Sequence, residues 1–483
     1  MARRARSGLR ACGQLLSGVV ALLAVAAVAG APATAAGAQP RLGPMIKLVG
    51  PTGSPQPVIA AASANGYEAF AWTRWSPAGY GSAHGWVQAR LRLPNGRLTS
   101  LQSVSATGGR AFLPAIGVDR AGDATVAWLQ RVRGLDYALE VSVRPAGGRF
   151  GAPVVLGHTQ VSACCGIEGA GSPAVLSAFD DFGVGPEVAV APDGAAVVAW
   201  KGATSMQVAE RASGRCSVRR VRACFSATQS LPAGLAPRMS PTFLPGPQPK
   251  VVFGARDIAY LVWAGPSGLE LAVTRGAGRR FGAASHIGSG ADTFTMPSIA
   301  LTGNGTLVIA WHWRGIFVTG APIPGGIEAA VRDGSGALST PVKLAPAPGT
   351  LEPGANAGPP TVLIDSHGQA LIDWQQGNYQ LEEAVRAPDG TIGPSGIIGT
   401  VMGSEPMVMD GLGDTVLCYE AGPDAETFWQ LRPPGATFGA PTAVPSSVNG
   451  DSFLLLRTPN VVTIGWNTKT GTVLADVRPA AAP

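Results

Sequence analysis

One short pattern recurs eight times along this 483-residue chain and constrains its fold more than any other feature. A residue that tolerates a left-handed backbone is followed six positions later by a large aromatic. The pairs are Gly66/Trp72, Gly122/Trp128, Gly194/Trp200, Asp257/Trp263, Gly305/Trp311, Gly368/Trp374, Gly413/Tyr419 and Asn460/Trp466. Gly, Asn and Asp take positive φ with the least strain, so the first position reads as a hairpin turn. The stretch between turn and ring reads as a strand, as in Ala124-Thr125-Val126-Ala127 and Leu307-Val308-Ile309-Ala310. It is apolar on both faces, as a strand covered on both sides requires. The residue before the aromatic is small at Ala71, Ala127, Ala199, Ala310 and Gly465, which implies close packing there. A repeat of this kind is one supersecondary unit copied through an architecture.

A second pattern follows each aromatic. A strand ends in Arg, at Arg92, Arg144, Arg211, Arg275, Arg332, Arg386, Arg432 and Arg478, and a turn leads into a closing strand such as Arg149 to Leu156. An apolar strand also precedes each Gly-to-aromatic pair, for example Pro114 to Val118 before Asp119, and Pro297 to Leu301. Four short strands joined by hairpins make a propeller blade. The eighth unit stops after its third strand, at Val477-Arg478-Pro479, while Arg41 to Leu48 resembles the closing strand Arg149 to Leu156. The expectation is an all-β chain with a single β-propeller of eight four-stranded blades, or seven if one unit is degenerate. An N-terminal strand completes the C-terminal blade, which removes exposed strand edges.

On these residues the chain resembles bacterial secreted β-propeller repeat proteins over nearly all of 39–483, with sialidase-like propellers as distant kin. The Asp box of the latter, an Asp shortly before a Trp with Gly between them, is not matched. Asp123 has the right distance to Trp128, but Gly122 precedes it; Asp119 and Asp365 lie too far from their Trp. What the resemblance implies about function is associational, because one fold hosts many chemistries.

The N-terminus reads as a secretory signal over 1–38, leaving 39–483 as the propeller domain. Arg3, Arg4, Arg6 and Arg10 precede an apolar stretch from Leu15 to Val28, too short to span a membrane, and small residues offer cleavage sites around Ala35, Ala36 and Ala38. The protein is expected to be secreted or held at the cell surface, monomeric, and without a transmembrane segment. The net charge of +6 includes these four arginines, so the mature chain carries +2 and offers no case for nucleic acid. Cys12 leaves with the signal. Cys164, Cys165, Cys216 and Cys224 suit two disulfides in an oxidising compartment. Cys216 could pair with Cys224, or Cys164 and Cys165 could each reach one of them. Cys418 reads as a small core residue.

In a propeller with strand A innermost, the A–B and C–D turns share one face and the B–C and D–A loops the other. The repeated glycines and arginines mark the first face. The long insertions, 73–86, 129–137, 158–187, 225–248, 312–326 and 345–360, are expected on the second, where binding residues usually gather. Ligand-binding candidates there are Trp75, Tyr80, His84, Trp86, Arg131, Arg133, Tyr137, His312, Trp313 and Arg314, with His158 and Glu168 beside them. Aromatics beside Arg and His suit a sugar or peptide. Weak catalytic candidates are Asp136, Asp180, Asp181 and Asp373. Asp373 occupies the small-residue position before Trp374, where a buried carboxylate needs a partner, and a structural ion pair with an Arg of an adjacent blade is the simpler reading.

There is no Gly-x-Ser-x-Gly elbow, phosphate loop or His-Glu-x-x-His, and only five His in all. No cofactor and no metal are expected. The favoured reading is a non-enzymatic propeller binding a carbohydrate, cell-envelope or protein ligand through its loop-bearing face. The alternative is a glycoside hydrolase or lyase on a sialidase-like propeller.

Overall fold

The computed structural model describes residues 41–50, 58–75, 84–134, 136–160, 185–214, 216–217, 219–231, 249–265, 268–274, 280–288, 297–313, 326–344, 358–365, 367–376, 380–400, 407–410, 413–421, 426–445, 454–458 and 461–478. These residues form eight antiparallel sheets arranged as an eight-bladed β-propeller, seven of them four-stranded meanders of consecutive strands and the eighth closed by N-terminal strands. Blade 1 shows the plan. Its strands are Ile59–Ala62 (A), Glu68–Trp75 (B), Gly85–Arg92 (C) and Gln102–Ser103 (D). Blades 2 to 7 begin at 111, 187, 250, 297, 361 and 407 and repeat that order. Among the described residues, helix is confined to single turns at Val221–Cys224 and Ala255–Asp257.

The recurrent turn residues do what their type permits. Gly66, Gly122, Gly194, Asp257, Gly305, Gly368 and Gly413 all lie between strands A and B with φ from 58° to 93°. Acids capping these turns accept their backbone N–H groups: Asp119 Oδ1 takes those of Ala121 (2.9 Å) and Asp123 (2.8 Å). Asp365 Oδ1 does the same for His367 and Gln369.

The recurrent aromatics build the interfaces between blades. Each of the eight apolar clusters joins one blade to the next. In seven of them the incoming blade contributes its Trp: Trp128 packs into blade 1, Trp200 into blade 2, Trp263 into blade 3, and so on round to Trp72 against Leu48, Val49 and Leu474. All seven rings are at most 2% exposed. The small residue before each Trp faces the following blade, as Ala199 and Trp263 share one cluster, and Ala127 and Trp200 another. Small side chain and large ring therefore fill one gap from its two sides.

Both chain ends complete blade 8. Arg41–Leu42 and Ile46–Lys47 pair antiparallel with Gly471–Arg478, in register Arg41↔Arg478 and Ile46↔Leu474. Leu48 and Val49 add backbone bonds to the Thr472 carbonyl at 3.0 and 3.3 Å. Gly471 sits at φ 124°, and a Cβ there would fall on the Val49 carbonyl. The seam to blade 1 is locked by Arg92. Its guanidinium grips Asp476 of blade 8 through both nitrogens (2.5 and 2.8 Å) and reaches Glu68 of blade 1 (3.3 Å), while Thr463 donates to Glu68 at 2.7 Å.

Two details depart from the sequence reading, and one choice it left open, the partner of Cys216, is made. Residues 129–137 are not a loop, because strands B and C of blade 2 continue as Ala124–Arg133 and Asp136–Arg144 around a tight turn. The elaborations are not confined to one face, because blade 3 carries a long C–D connection, 212–228, on the A–B turn face. Cys216 pairs with Cys224 (S–S 2.00 Å) inside that connection, which excludes their bridging to Cys164 and Cys165; those two lie outside the described residues. Arg275, the strand-end arginine expected in blade 4, lies outside the described residues; beside it Thr274 bridges Phe281, and its hydroxyl accepts the Ala259 N–H at 2.8 Å.

Replacing Trp263 by Ala should cost about 3–5 kcal/mol, the usual penalty for deleting a buried ring. Loss of the closing-strand geometry in Gly471→Ala should also lower the unfolding midpoint, since backbone must move to admit the methyl. Denaturant titration measures both; a Gly471→Ala midpoint equal to wild type would contradict the closure described.

Candidate functional site

Strand B runs toward the face bearing the B–C and D–A connections and strand C runs back from it. On that face blades 1 and 2 form one continuous ledge. Gly85, at the start of strand C in blade 1, bridges in parallel to Arg110 of the D–A connection. Only glycine fits there, because a Cβ would lie 2.7 Å from the Phe112 ring. The Arg110 carbonyl in turn accepts the Arg131 N–H at 2.9 Å. Backbone bonds thus fix the two blade edges to each other.

Side chains on this ledge alternate between rings and guanidinium groups. Arg74 and Trp86 are direct cross-strand partners, with the guanidinium 5.9 Å from the ring centroid, a cation–π stack. In blade 2, Arg131 lies opposite Tyr137 and Arg133 opposite Asp136. Arg131 Nε donates to the Gly134 carbonyl at 2.8 Å, which holds it over the hairpin. Burial pushes the Tyr137 phenol up, and the nearby Arg131 and Arg110 charges partly offset this. Arg110 and Arg133 are exposed, and Arg74, Arg131 and Trp86 are half-buried. Among the described residues, four guanidiniums therefore share the ledge with one carboxylate, Asp136.

The structure brings Trp86, Arg131, Arg133 and Tyr137 together here, with His84 half-buried at the adjoining strand end. Trp75 ends strand B of blade 1 and Trp313 ends strand B of blade 5, but their side chains lie outside the described residues. Tyr80, Glu168, Asp180, Asp181 and Arg314 also fall outside them. His312 is buried, 9% exposed, four blades away from the ledge's first blade, and His158 is exposed on strand D of blade 2. Sequence reasoning missed Arg74 and Arg110. Arg74 had a signal, two residues beyond Trp72 on the same face of strand B; Arg110 had none, since only the bridge to Gly85 brings it in.

Asp373 is 1% exposed at the interface of blades 6 and 7. Its cross-strand partner is Glu383, whose carboxylate binds Arg432 of blade 7 at 2.5 Å. Neither Asp373 oxygen has a conventional donor among the described residues. A proton on Asp373, shared with Glu383, resolves this. Burial first, then the Glu383 charge, raises its pKa well above the ordinary 3.8. This interface also carries Tyr419 where the others carry Trp, and its apolar cluster is the smallest, with four buried members. The acid pair occupies space that the larger ring fills elsewhere. A group so enclosed does not face a substrate.

The other repeated arginines serve the scaffold as well. Arg144 donates to the Gly122 carbonyl at 3.2 Å and Arg211 to that of Gly194, each the A–B turn of its own blade. Arg332 lies over the Tyr260 ring, 5.4 Å from its centroid. An open cleft of about 290 Å³ lies on this turn face at the seam of blades 8 and 1, but its charged lining is the Glu68–Arg92–Asp476 lock, whose groups already engage one another.

The Asp373 proton makes stability depend on pH. Unfolded, the group ionises near 3.8; folded, it keeps its proton far above that. The folded state then binds the extra proton, so its contribution is present below the unfolded value and lost as pH rises. Asp373→Asn retains an N–H donor toward Glu383 and needs no proton. Wild type should lose melting temperature from about pH 5 to about pH 8 more steeply than Asp373→Asn. Parallel profiles would contradict the shared proton.

No protein-family model matches this chain, and no curated protein matches it in sequence. Solved structures resemble it in fold. One is the polysaccharide lyase PL25 ulvan lyase, at 10% identity and TM-score 0.46, covering 74% of this chain and 90% of that one. Another is the BP39L lectin from Burkholderia pseudomallei, at 13% identity and TM-score 0.47, covering 81% and 99%. A third is the polysaccharide lyase Uly1, at 9% identity and TM-score 0.40, covering 91% and 99%.

Proposed function

We propose that this protein is a secreted, non-enzymatic β-propeller that binds an anionic carbohydrate or cell-envelope polymer through the ledge on blades 1 and 2. One observation carries the reading. The Arg74–Trp86 stack, Arg110, Arg131 and Arg133 stand on one backbone-tied edge with a single carboxylate, Asp136, among the described residues there. A flat guanidinium–indole surface suits a sugar ring, and free guanidinium forks suit carboxylate, sulfate or phosphate substituents in two-pronged contacts. The ledge is rigid before a ligand arrives, which limits the ordering cost of binding. The Cys216–Cys224 disulfide fits an oxidising compartment, in keeping with export.

The test is equilibrium binding of uronate-bearing, sulfated and neutral glycans to the exported protein. Hydrogen bonds to charged groups contribute about 1.5–3 kcal/mol each, so Arg131→Gln with Arg133→Gln should weaken the acidic ligands roughly 100-fold or more. Trp86→Ala should weaken them too, and neutral glycans should bind poorly throughout. Equal affinity of wild type and the double variant would overturn the ledge as the site. Release of reducing ends or unsaturated products from a bound polymer would establish the alternative, a glycoside hydrolase or lyase.

A further inference from the structure

We propose that the disulfide-clasped connection 212–228 of blade 3 is a docking surface for an anionic lipid bilayer. It lies on the A–B and C–D turn face, opposite the ledge, and does not depend on the glycan reading. Cys216 and Cys224 close a short loop around one helical turn, Val221–Cys224. Cys216, Val221 and Phe225 are 6%, 2% and 5% exposed and belong to the apolar cluster between blades 2 and 3. The loop is therefore clasped at its neck and anchored from below. Arg219, Arg220 and Arg222 are exposed on its outer side.

The charge on this loop is one-sided. No acidic residue lies between Glu210 and Asp257 in the chain. Arg222 Nη1 turns back to the Phe225 and Ser226 carbonyls, at 3.2 and 3.3 Å, and braces the loop. The side chains of Arg219 and Arg220 make no hydrogen bond or ion pair among the described residues. Glu210, beside the connection, is buried, and the acids of the adjoining A–B turns are committed elsewhere. Asp119 and Asp193 accept N–H groups of their own turns, and both, with Asp123, face the buried Arg211.

The chemistry of the loop selects the partner. Among the described residues, the exposed positions around these arginines include Ser213, Gly214, Ser217 and Ala223, with no ring on which a sugar or base could stack. Guanidiniums exposed together on one loop, without acids among them, meet several anions at once on a densely charged surface, which anionic headgroups supply. Contact would place the turn face on the bilayer and leave the ledge outward.

Vesicle sedimentation tests this with phosphatidylcholine vesicles prepared with and without phosphatidylglycerol. The exported protein should bind only those containing phosphatidylglycerol, and added salt should release it. Each arginine near such a surface contributes about 1 kcal/mol, or roughly fivefold, so Arg219→Gln with Arg220→Gln should lower partitioning roughly 20-fold or more. These two side chains support no other contact described, so an unchanged melting temperature should accompany the loss. Arg131→Gln with Arg133→Gln should leave vesicle binding intact, which separates this surface from the ledge. Equal partitioning of wild type and the Arg219/Arg220 variant would overturn the proposal. So would absence of vesicle binding with retained binding to a soluble polyphosphate.

Discussion

The structure depends on the pairing of the N-terminal strand with the last strand of the chain. Without it, Gly471–Arg478 would present an unpaired backbone edge, and the interface between blades 8 and 1 would lack part of its apolar filling. Residues 41–49 remove both problems. They supply the missing fourth strand, and Leu48 and Val49 form the apolar cluster that receives Trp72. The charged contacts at this seam serve the same end. Arg92 carries the strand-end position of its blade, but its partner Asp476 lies across the seam, with the two ends of the lock 384 residues apart in sequence. Long-range closure of this kind gives the ring one defined register.

Each interface repeats one complementarity, a small side chain on one blade and an indole from the next. The interface between blades 6 and 7 breaks it on both sides. Asp373 replaces the small residue, Tyr419 replaces Trp, and Glu383 and Arg432 complete a buried polar cluster. Buried charge is a costly substitute for packing unless all its members are satisfied. Here the shared proton satisfies it. Perturbed acids often mark active sites, yet the burial that raises the pKa of this one also encloses it between two blades.

The two faces of the ring carry different chemistry. The loop-bearing ledge combines rings with guanidiniums, whereas the blade 3 connection offers guanidiniums on a braced turn. The connection also adds Cys216, Val221 and Phe225 to the cluster between blades 2 and 3. Elaborating one connection costs the scaffold little when the core is built from strands whose contacts lie elsewhere.

The blade count, the strand order and the completion of blade 8 were legible in the sequence, because they follow from local chemistry. Only Gly, Asn and Asp suit the left-handed turn, and spacing from turn to ring is measured along one strand. Cys418 as a small core residue was legible for the same reason: it occupies a repeat position whose neighbours are known. Asp373 was legible as the exception at that position. Tertiary structure decided what depends on contact between distant segments. It set Glu383 beside Asp373 and gave Arg432 to Glu383, joined Arg110 to the ledge through Gly85, chose Cys224 for Cys216, and continued blade 2 strands through a supposed loop. Periodicity along the chain reports how one blade is made. Which side chains meet across a face is set by how neighbouring blades are rotated and tied together.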